Sequence, residues 1–440
     1  MKLRRLDLSK ADSDPAVAAE VRSLFRRGAV PDPSVREGAR AILAGVKARG
    51  DAAVSDANAK FGGGRANGSL VVTKAEMKSA GDALPANIRA GLEQMIENIR
   101  RFAETERPET RRTMILPGIE IERRWVPTAR VGVYAPGGSA AYPSSLLMGV
   151  VPARVAGVET IVAASPADAL GNLSPTLLGA AGLVGVDAFI VAGGAQAVGA
   201  LAYGLPGAAI EPVDLIVGPG NAWVTAAKLE VFGEVGIDLP AGPSEVMVVA
   251  DSTAESAHVA ADLLSQAEHG PDSPALLVTW DAAYAATVES ELARQLATSA
   301  RRAILERSLG ACAVVVLAPS RDAAVDFVNG YAPEHLSVSV ADVEEAVARI
   351  RNAGSVFVGP YAPESAGDYA SGANHVLPTG GLARSCGALA TEAYGKFLQA
   401  QRISREGLAA IRDTVGTIAE AEGLIAHKRA VEVRFEESVR

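Results

Sequence analysis

Eight short runs of this chain are apolar on both strand faces, and they alternate with Gly/Pro turns and Ala-rich helical patterns. "ARVGVYAPGG", "ETIVAASP", "DAFIVAGGA" and "DLIVGPGN" precede Pro240, while "VMVVAD", "ALLVTW", "CAVVVLAP" and "SVFVGP" follow it. A strand with one face in water alternates apolar with polar residues. A strand that is apolar throughout needs cover on both faces, and helices packed on a parallel sheet provide it. So many runs exceed a single mononucleotide-binding unit. The pattern predicts two parallel-sheet α/β domains, the second inserted into the first, with a boundary near "DLPAGPSE" (238–245).

The flanks are helical in texture. "VREGARAILAGVKARGDAAVSDANAKFGG" has apolar spacing near 3.6 and stops at Gly62-Gly63-Gly64, and "LPANIRAGLEQMIENIRRFAETE" is a second amphipathic helix. From Ile403 the pattern is helical again, as an appended tail whose natural packing surface is a second subunit. The expected division is an N-terminal extension over 1–29, a discontinuous first domain over 30–133 and 246–389, a cofactor-binding domain over 134–245, and a helical tail over 390–440.

Composition removes several classes of function. A net charge of −9 supplies no basic face for nucleic acid. Two cysteines, Cys312 and Cys386, exclude a Cys-based zinc site or a disulfide framework and read as buried thiols of a reducing compartment. "MKLRRLDLSKADSDP" lacks a signal-peptide core, and "LLMGVVPARVAGV" is broken by Pro152 and Arg154, so the expected location is cytoplasmic.

Histidine is scarce, with five in the chain, and two stand in Glu-His pairs. In "SQAEHGPDS" (265–273), Gln266 and His269 lie three apart on a helix about to be stopped by Gly270-Pro271. They would share a face as two metal ligands, or His269 would satisfy the last helix carbonyls. In "YAPEHLS", Pro333 ends a helix, so Glu334 and His335 open a strand, pointing to different sides. A carboxylate beside an imidazole suits acid/base work, and a surface turn explains the pair equally well. "GDYASGANHV" holds Asp368 and His375 in a polar loop, able to bind metal or substrate, or to form an Asx turn. Glu422 and His427 in "EGLIAHK" would stand about 140° apart on one straight helix. His258 has no assigned role. The turns "VGPGNAWV" and "VAGGAQAVGA" each follow a strand and open a helix, so their N–H groups suit a phosphate, although tight packing would call for the same glycines.

Taken in order, "VYAPGG", "VAGGAQAVGALAYG", "VGPGNAWVTAAK", "DLPAGPSEV", "LLSQAEHGPDS", "YAPEHLS", "SAGDYASGANHVLPTGG" and "EGLIAHK" resemble the histidinol dehydrogenase family from about Val30 to the C-terminus. The resemblance implies two incomplete Rossmann-like domains in a homodimer with exchanged helical extensions and shared active sites. It implies zinc and NAD as cofactors and oxidation of L-histidinol to L-histidine in two hydride transfers. By position, the zinc ligands would be Gln266, His269, Asp368 and, from the other subunit's tail, His427. Glu334 and His335 match the acid/base pair. Ser244, His375 and Glu422 match substrate contacts, as do the zinc ligands and His335. Tyr134, Gln196 and Asn221 match cofactor contacts. Alternatives are a related zinc/NAD dehydrogenase of another small alcohol, such as a sulfonated diol, and an inactive metal-binding paralogue. Glu422 and His427 favour histidinol, and the intact Glu334 and His335 speak against an inactive protein. "GGLARSCGALATEAYGKF" (380–397) departs from the family pattern, notably at Cys386.

Overall fold

The computed structural model describes residues 2–137 and 141–436, so Gly138 of "VYAPGG" and the extreme ends of the expected extension and tail lie outside the described residues. The chain divides into two compact units, one made of Met1–Glu106 with Thr128–Tyr394, the other of Arg107–Pro127 with Gly395–Arg440.

The larger unit holds two six-stranded sheets. In the first, the order is Val71–Val72, Ala188–Val191, Thr160–Ser165, Arg130–Tyr134, Leu215–Val217, Gly236–Ile237, parallel except for the two-residue edge strand Val71–Val72. In the second, the order is Arg4–Asp7, Val314–Leu317, Ala275–Thr279, Val246–Ala250, His335–Ser339, Ser355–Val358, all parallel. The strands Val246–Ala250 and Ala275–Thr279 are buried at every residue, as runs apolar on both faces require. Apolar clusters line both faces of the second sheet, around Val248, Leu263 and Val288 on one side and Met247, Phe327 and Leu336 on the other. Beyond the edge strands Val71–Val72 and Arg4–Asp7, each sheet reverses its strand order once. The reversals fall between Arg130–Tyr134 and Leu215–Val217, and between Val246–Ala250 and His335–Ser339.

The expected domain limits need correction. Residues 4–7 are an edge strand of the second sheet rather than an extension, paired in register with Val314–Leu317. With two arginines in four residues, "RRLD" carries no strand signal of its own, and its pairing comes from the neighbouring strand. Of the segment 30–133, residues 30–106 pack chiefly with 134–245 rather than with 246–389, and 111–127 belong to the smaller unit. Helix Pro33–Arg49 lies against Gly194–Tyr203 and Ala222–Val231, and Leu43 and Val46 join the core of Val198 and Leu201. Amphipathic spacing shows that a helix has a buried face, but not which sheet it covers. The long helical run also breaks at Gly50 (φ 55°) into Pro33–Arg49 and Asp51–Phe61.

The smaller unit is a three-stranded antiparallel sheet, Gly395–Ile403, Ile119–Pro127, Arg111–Leu116, with the helices Arg405–Ala421 and Ile425–Glu432 packed on each other. The tail expected to be helical over 390–440 thus begins with a nine-residue strand. Phe397 lies under the Arg123 guanidinium, and Arg402 pairs with Glu122. These cross-strand contacts have no helical period to betray them. Gly118 (φ 82°) makes the hairpin turn, where a Cβ would collide with Ser404 Oγ and the Gly407 backbone. Met114, Ile115, Ile418 and Ile425 are each more than half exposed.

Candidate active site

The acid/base candidates stand at the amino-terminal edge of the second sheet, beside its reversal of strand order. His335 opens its strand in register with Val246, so Ser244 and Glu245, which lead into Val246–Ala250, run beside Glu334 and His335. Helix Ser256–Ala267 follows Val246–Ala250 and runs back across the sheet, returning its last turn, with Gln266, to the same edge. Open α/β sheets ordinarily bind ligands at the carboxyl edge, which makes this placement unusual.

Glu334 sits in the turn made by Ala332 (φ 55°, ψ 69°) and Pro333. Its Oε2 accepts hydrogen bonds from Ser244 Oγ at 2.7 Å and the Glu245 N–H at 2.8 Å, which fixes the carboxylate. Because Glu334 precedes the strand, strand alternation does not separate it from its neighbour. His335 Nδ1 lies 3.5 Å from Glu334 Oε2, so the two side chains meet instead of diverging. That ring nitrogen also lies 3.3 Å from the Glu245 carbonyl, whereas His335 Nε2 is buried with no partner. The imidazole is therefore held at one nitrogen and open at the other. Burial pushes its proton affinity down, but Glu334, Glu364 and Asp368 outweigh it and hold the ring up at about 10. Their oxygens stand 3.5, 3.8 and 4.0 Å from its nitrogens. The ring therefore holds a proton more tightly than a free imidazole does.

Glu364 was not singled out from sequence. It is 1% exposed, both carboxylate oxygens lack partners, and burial raises its carboxyl to about 8 against the pull of His335. The signal was the echo "YAPES", which has the same Tyr-Ala-Pro-Glu order as "YAPEH" and resembles simple turn chemistry. Pro363 caps the short helix Glu364–Tyr369, and Asp368 stands one turn along it, so Asp368 lies on a helix rather than in a loop. His375 Nδ1 donates to the Asp368 carbonyl at 3.2 Å, which leaves Nε2 to accept from Ser145 Oγ at 3.2 Å. Burial lowers His375's proton affinity despite Asp368 nearby.

Gln266 is fully buried, and neither its Oε1 nor its Nε2 has a partner. Its helix ends at Ala267 with Glu268 as cap, so His269 falls in the turn beyond and is exposed. The two therefore differ in surroundings, Gln266 inside the helix and buried, His269 exposed in a tightened last turn, its N–H donating to the Gln266 carbonyl. Glu422 and His427 belong to the smaller unit, where both are exposed. They occupy two helices, not one: Glu422 caps Arg405–Ala421, Gly423 (φ 74°) breaks the chain, and His427 lies in Ile425–Glu432. Among the described residues, no group of three or more His, Cys, Asp and Glu is assembled for a metal. The donor chemistry still fits one, since a buried amide oxygen without a partner is otherwise costly. The cysteines are half-buried rather than buried, and Cys312 Sγ lies 3.2 Å from the Pro271 carbonyl.

The cofactor candidates line the carboxyl edge of the first sheet around its own reversal. Tyr134 ends Arg130–Tyr134, and burial pushes its phenol up to about 12, opposed by the Gly194 N–H. Gln196 is buried in the first turn of Gly194–Tyr203, its Nε2 3.4 Å from Asn58 Oδ1. Asn221 caps Ala222–Val231, its Oδ1 accepting from the Trp223 and Val224 N–H groups at 3.0 and 3.2 Å, so only its NH₂ can face a ligand. Packing does require Gly218, where a Cβ would meet the Tyr134 carbonyl at 2.1 Å.

Comparison with known proteins agrees along nearly the whole length. A family model described as histidinol dehydrogenase matches residues 26–435. The histidinol dehydrogenase of Halobacterium salinarum is 47% identical over 416 residues, covering 94% of this chain and 96% of that protein. That of Nocardia farcinica is 44% identical, covering 98% and 99%. A crystal structure of histidinol dehydrogenase from Elizabethkingia anophelis superposes with a TM-score of 0.90 at 35% identity, covering 98% of each chain.

Proposed function

Because the chain belongs to the histidinol dehydrogenase family, we propose that it oxidises L-histidinol to L-histidine through L-histidinaldehyde, the last step of histidine biosynthesis, in two NAD-dependent stages. The observation that carries the assignment of residues is a fixed carboxylate, Glu334, beside an imidazole whose Nε2 is buried and unpartnered.

In the first oxidation, His335 Nε2 takes the hydroxyl proton while hydride leaves the carbinol carbon. That nitrogen must first be neutral, and the cluster of Glu334, Glu364 and Asp368 opposes this in the chain alone. The substrate's ammonium group, entering among these carboxylates, cancels part of their field and brings the imidazole toward its neutral form. In the second oxidation, water adds to the aldehyde, and Glu334 Oε1, the oxygen free of Ser244 and Glu245, receives its proton. Hydride then leaves the hydrated carbon and a carboxylate forms. The sum is one alcohol and one water converted to one carboxylate, two hydrides and three protons.

NAD, which Tyr134, Gln196 and Asn221 would hold, would supply the hydride acceptor. A zinc ion held by Gln266, His269 and Asp368 with His427 of the partner subunit would anchor the substrate through a nitrogen lone pair of its imidazole ring, a template role. Ser244 and His375 contact the substrate, joined by Glu422 of the partner subunit. Support for a homodimer with shared sites comes from the exposure of Glu422 and His427 beside the exposed apolar residues Ile418 and Ile425. The proposed setting is the cytoplasm, and no helix among the described residues is long and apolar enough to cross a membrane.

The test is NADH production from L-histidinol before chelation, after it, and after zinc is restored. Two NADH per histidinol, lost on chelation and regained with zinc, is the expected result. No turnover by folded, zinc-loaded protein would overturn the reading.

A further inference from the structure

We infer that Arg27 is a positioning residue for the reaction, acting through Glu245 on the Glu334–His335 pair; the inference rests on the reading of that pair as the acid/base centre. Arg27 lies far from the pair in sequence, just after the helix Pro15–Phe25. All five of its N–H donors find acceptors. Nε donates to Glu245 Oε2 at 2.9 Å, and one terminal nitrogen to Glu245 Oε1 and the Ala332 carbonyl. The other donates to the Leu24 and Tyr331 carbonyls. The guanidinium carbon also lies 3.2 Å from the centre of the Tyr331 ring, whose hydroxyl donates to Glu245 Oε2 at 3.0 Å. The Glu245 side chain is 3% exposed, so this charge is paired away from water.

The acceptors form a pattern. Glu245 leads into the strand Val246–Ala250, and Tyr331 and Ala332 lead into His335–Ser339, so one planar group spans the two strand entries where the sheet reverses its order. Ala332 adopts a left-handed conformation unfavourable for a residue with a Cβ, and two of the five bonds grip its carbonyl and the one before it. At the far end of this bracket the Glu245 backbone holds the pair itself. Its N–H donates to Glu334 Oε2 at 2.8 Å, and its carbonyl accepts from the His335 N–H at 3.2 Å and lies 3.3 Å from His335 Nδ1. Arg27 touches neither member of the pair, yet it fixes both segments that carry them. The fork geometry is what does this, and a lysine keeps the charge but offers three donors from one point.

The experiment compares Arg27→Lys, Tyr331→Phe and His335→Asn in the zinc-loaded enzyme, with melting curves for each. For Arg27→Lys the inference expects kcat to fall by tenfold to about a hundredfold, as slight misplacement of reacting groups does, with both KM values within about twofold. Tyr331→Phe, which removes a single bond to Glu245, should give a smaller loss of the same kind. Added guanidinium ion should restore part of kcat to Arg27→Gly. Arg27→Lys that melts like the parent and keeps kcat within about twofold overturns the inference, as does a rise in KM with kcat unchanged. If Arg27→Lys does not fold, Tyr331→Phe decides, an unchanged kcat counting against it. Should His335→Asn retain parental kcat, the acid/base reading falls first, a result distinct from any behaviour of Arg27.

Discussion

Replacing Lys228 with methionine tests how the carboxyl edge of the first sheet, where NAD is proposed to bind, is held. Lys228 and Asp238 are a buried ion pair, with side chains 2% and 1% exposed. The Lys228 ammonium also donates to the Gly218 and Leu239 carbonyls, each at 3.0 Å, and Asp238 accepts from the Gly218 N–H at 2.8 Å and the Leu239 N–H at 2.6 Å. Removing one member of such a pair strands the other charge, at about 3–5 kcal/mol. The two N–H groups left on Asp238 soften this, and two orphaned carbonyls add back about 1 kcal/mol each. We expect Lys228→Met to cost about 3–4 kcal/mol in urea unfolding followed by tryptophan fluorescence. Adding Asp238→Asn should recover about 1 kcal/mol, because the stranded charge disappears while one of the two N–H groups loses its acceptor oxygen. Since the pair clamps both the N–H and the carbonyl of Gly218 in the turn leading to Asn221, KM for NAD should rise more than KM for histidinol. A loss below about 1 kcal/mol, or a double variant no more stable than Lys228→Met, would refute the reasoning.

Gln266→Leu should raise the melting temperature of chelator-treated protein, because an unsatisfied buried amide costs about 1–3 kcal/mol, while zinc retention on dialysis falls. Asp262 gives a pH test: burial raises its carboxyl from 3.8 to about 6, against Ser337 and His258, so its ionised form is disfavoured in the fold. Its contribution to stability is full below the unfolded value and is lost as pH rises through about 6. Asp262→Asn should therefore gain stability at pH 8, by at most about 3 kcal/mol, and well under about 1 kcal/mol at pH 4, read from urea midpoints at the two pH values. Ser244→Ala removes a donor from Glu334 Oε2 and should lower kcat about tenfold without loss of folding, measured by steady-state kinetics and melting.

The sequence declared the parallel sheets because a strand apolar on both faces has few places to go. It also declared the turn at Pro333 that sets out Glu334 and His335, since proline cannot continue a helix. Partnership between distant segments was less legible. Arg4–Asp7 is a strand only because Val314–Leu317 lies beside it, and Gly395–Ile403 only because Ile119–Pro127 does. Glu364 escaped notice for a related reason: nothing local distinguishes a glutamate beside a turn proline from one aimed at a buried imidazole. The relation of Gln266 to His269 was drawn as if the helix ran on to its glycine, whereas it tightens and ends at Ala267.

The pairing of Arg4–Asp7 with Val314–Leu317 also bears on how the chain comes into being. Emerging from a ribosome, the segment that builds the first sheet is complete by Ile237, before any central strand of the second sheet exists. The opening residues must wait, unpaired, until some 310 further residues have been made, as the numbering of that register dictates. Long-range closure of this kind is slow, so the sheet bearing Glu334 and His335 is the last part of the larger unit to mature. A bulky fusion ahead of Met1 would hinder that late docking, and the defect would surface at Arg27 and the edge bearing Glu334 and His335 while the first sheet had already folded.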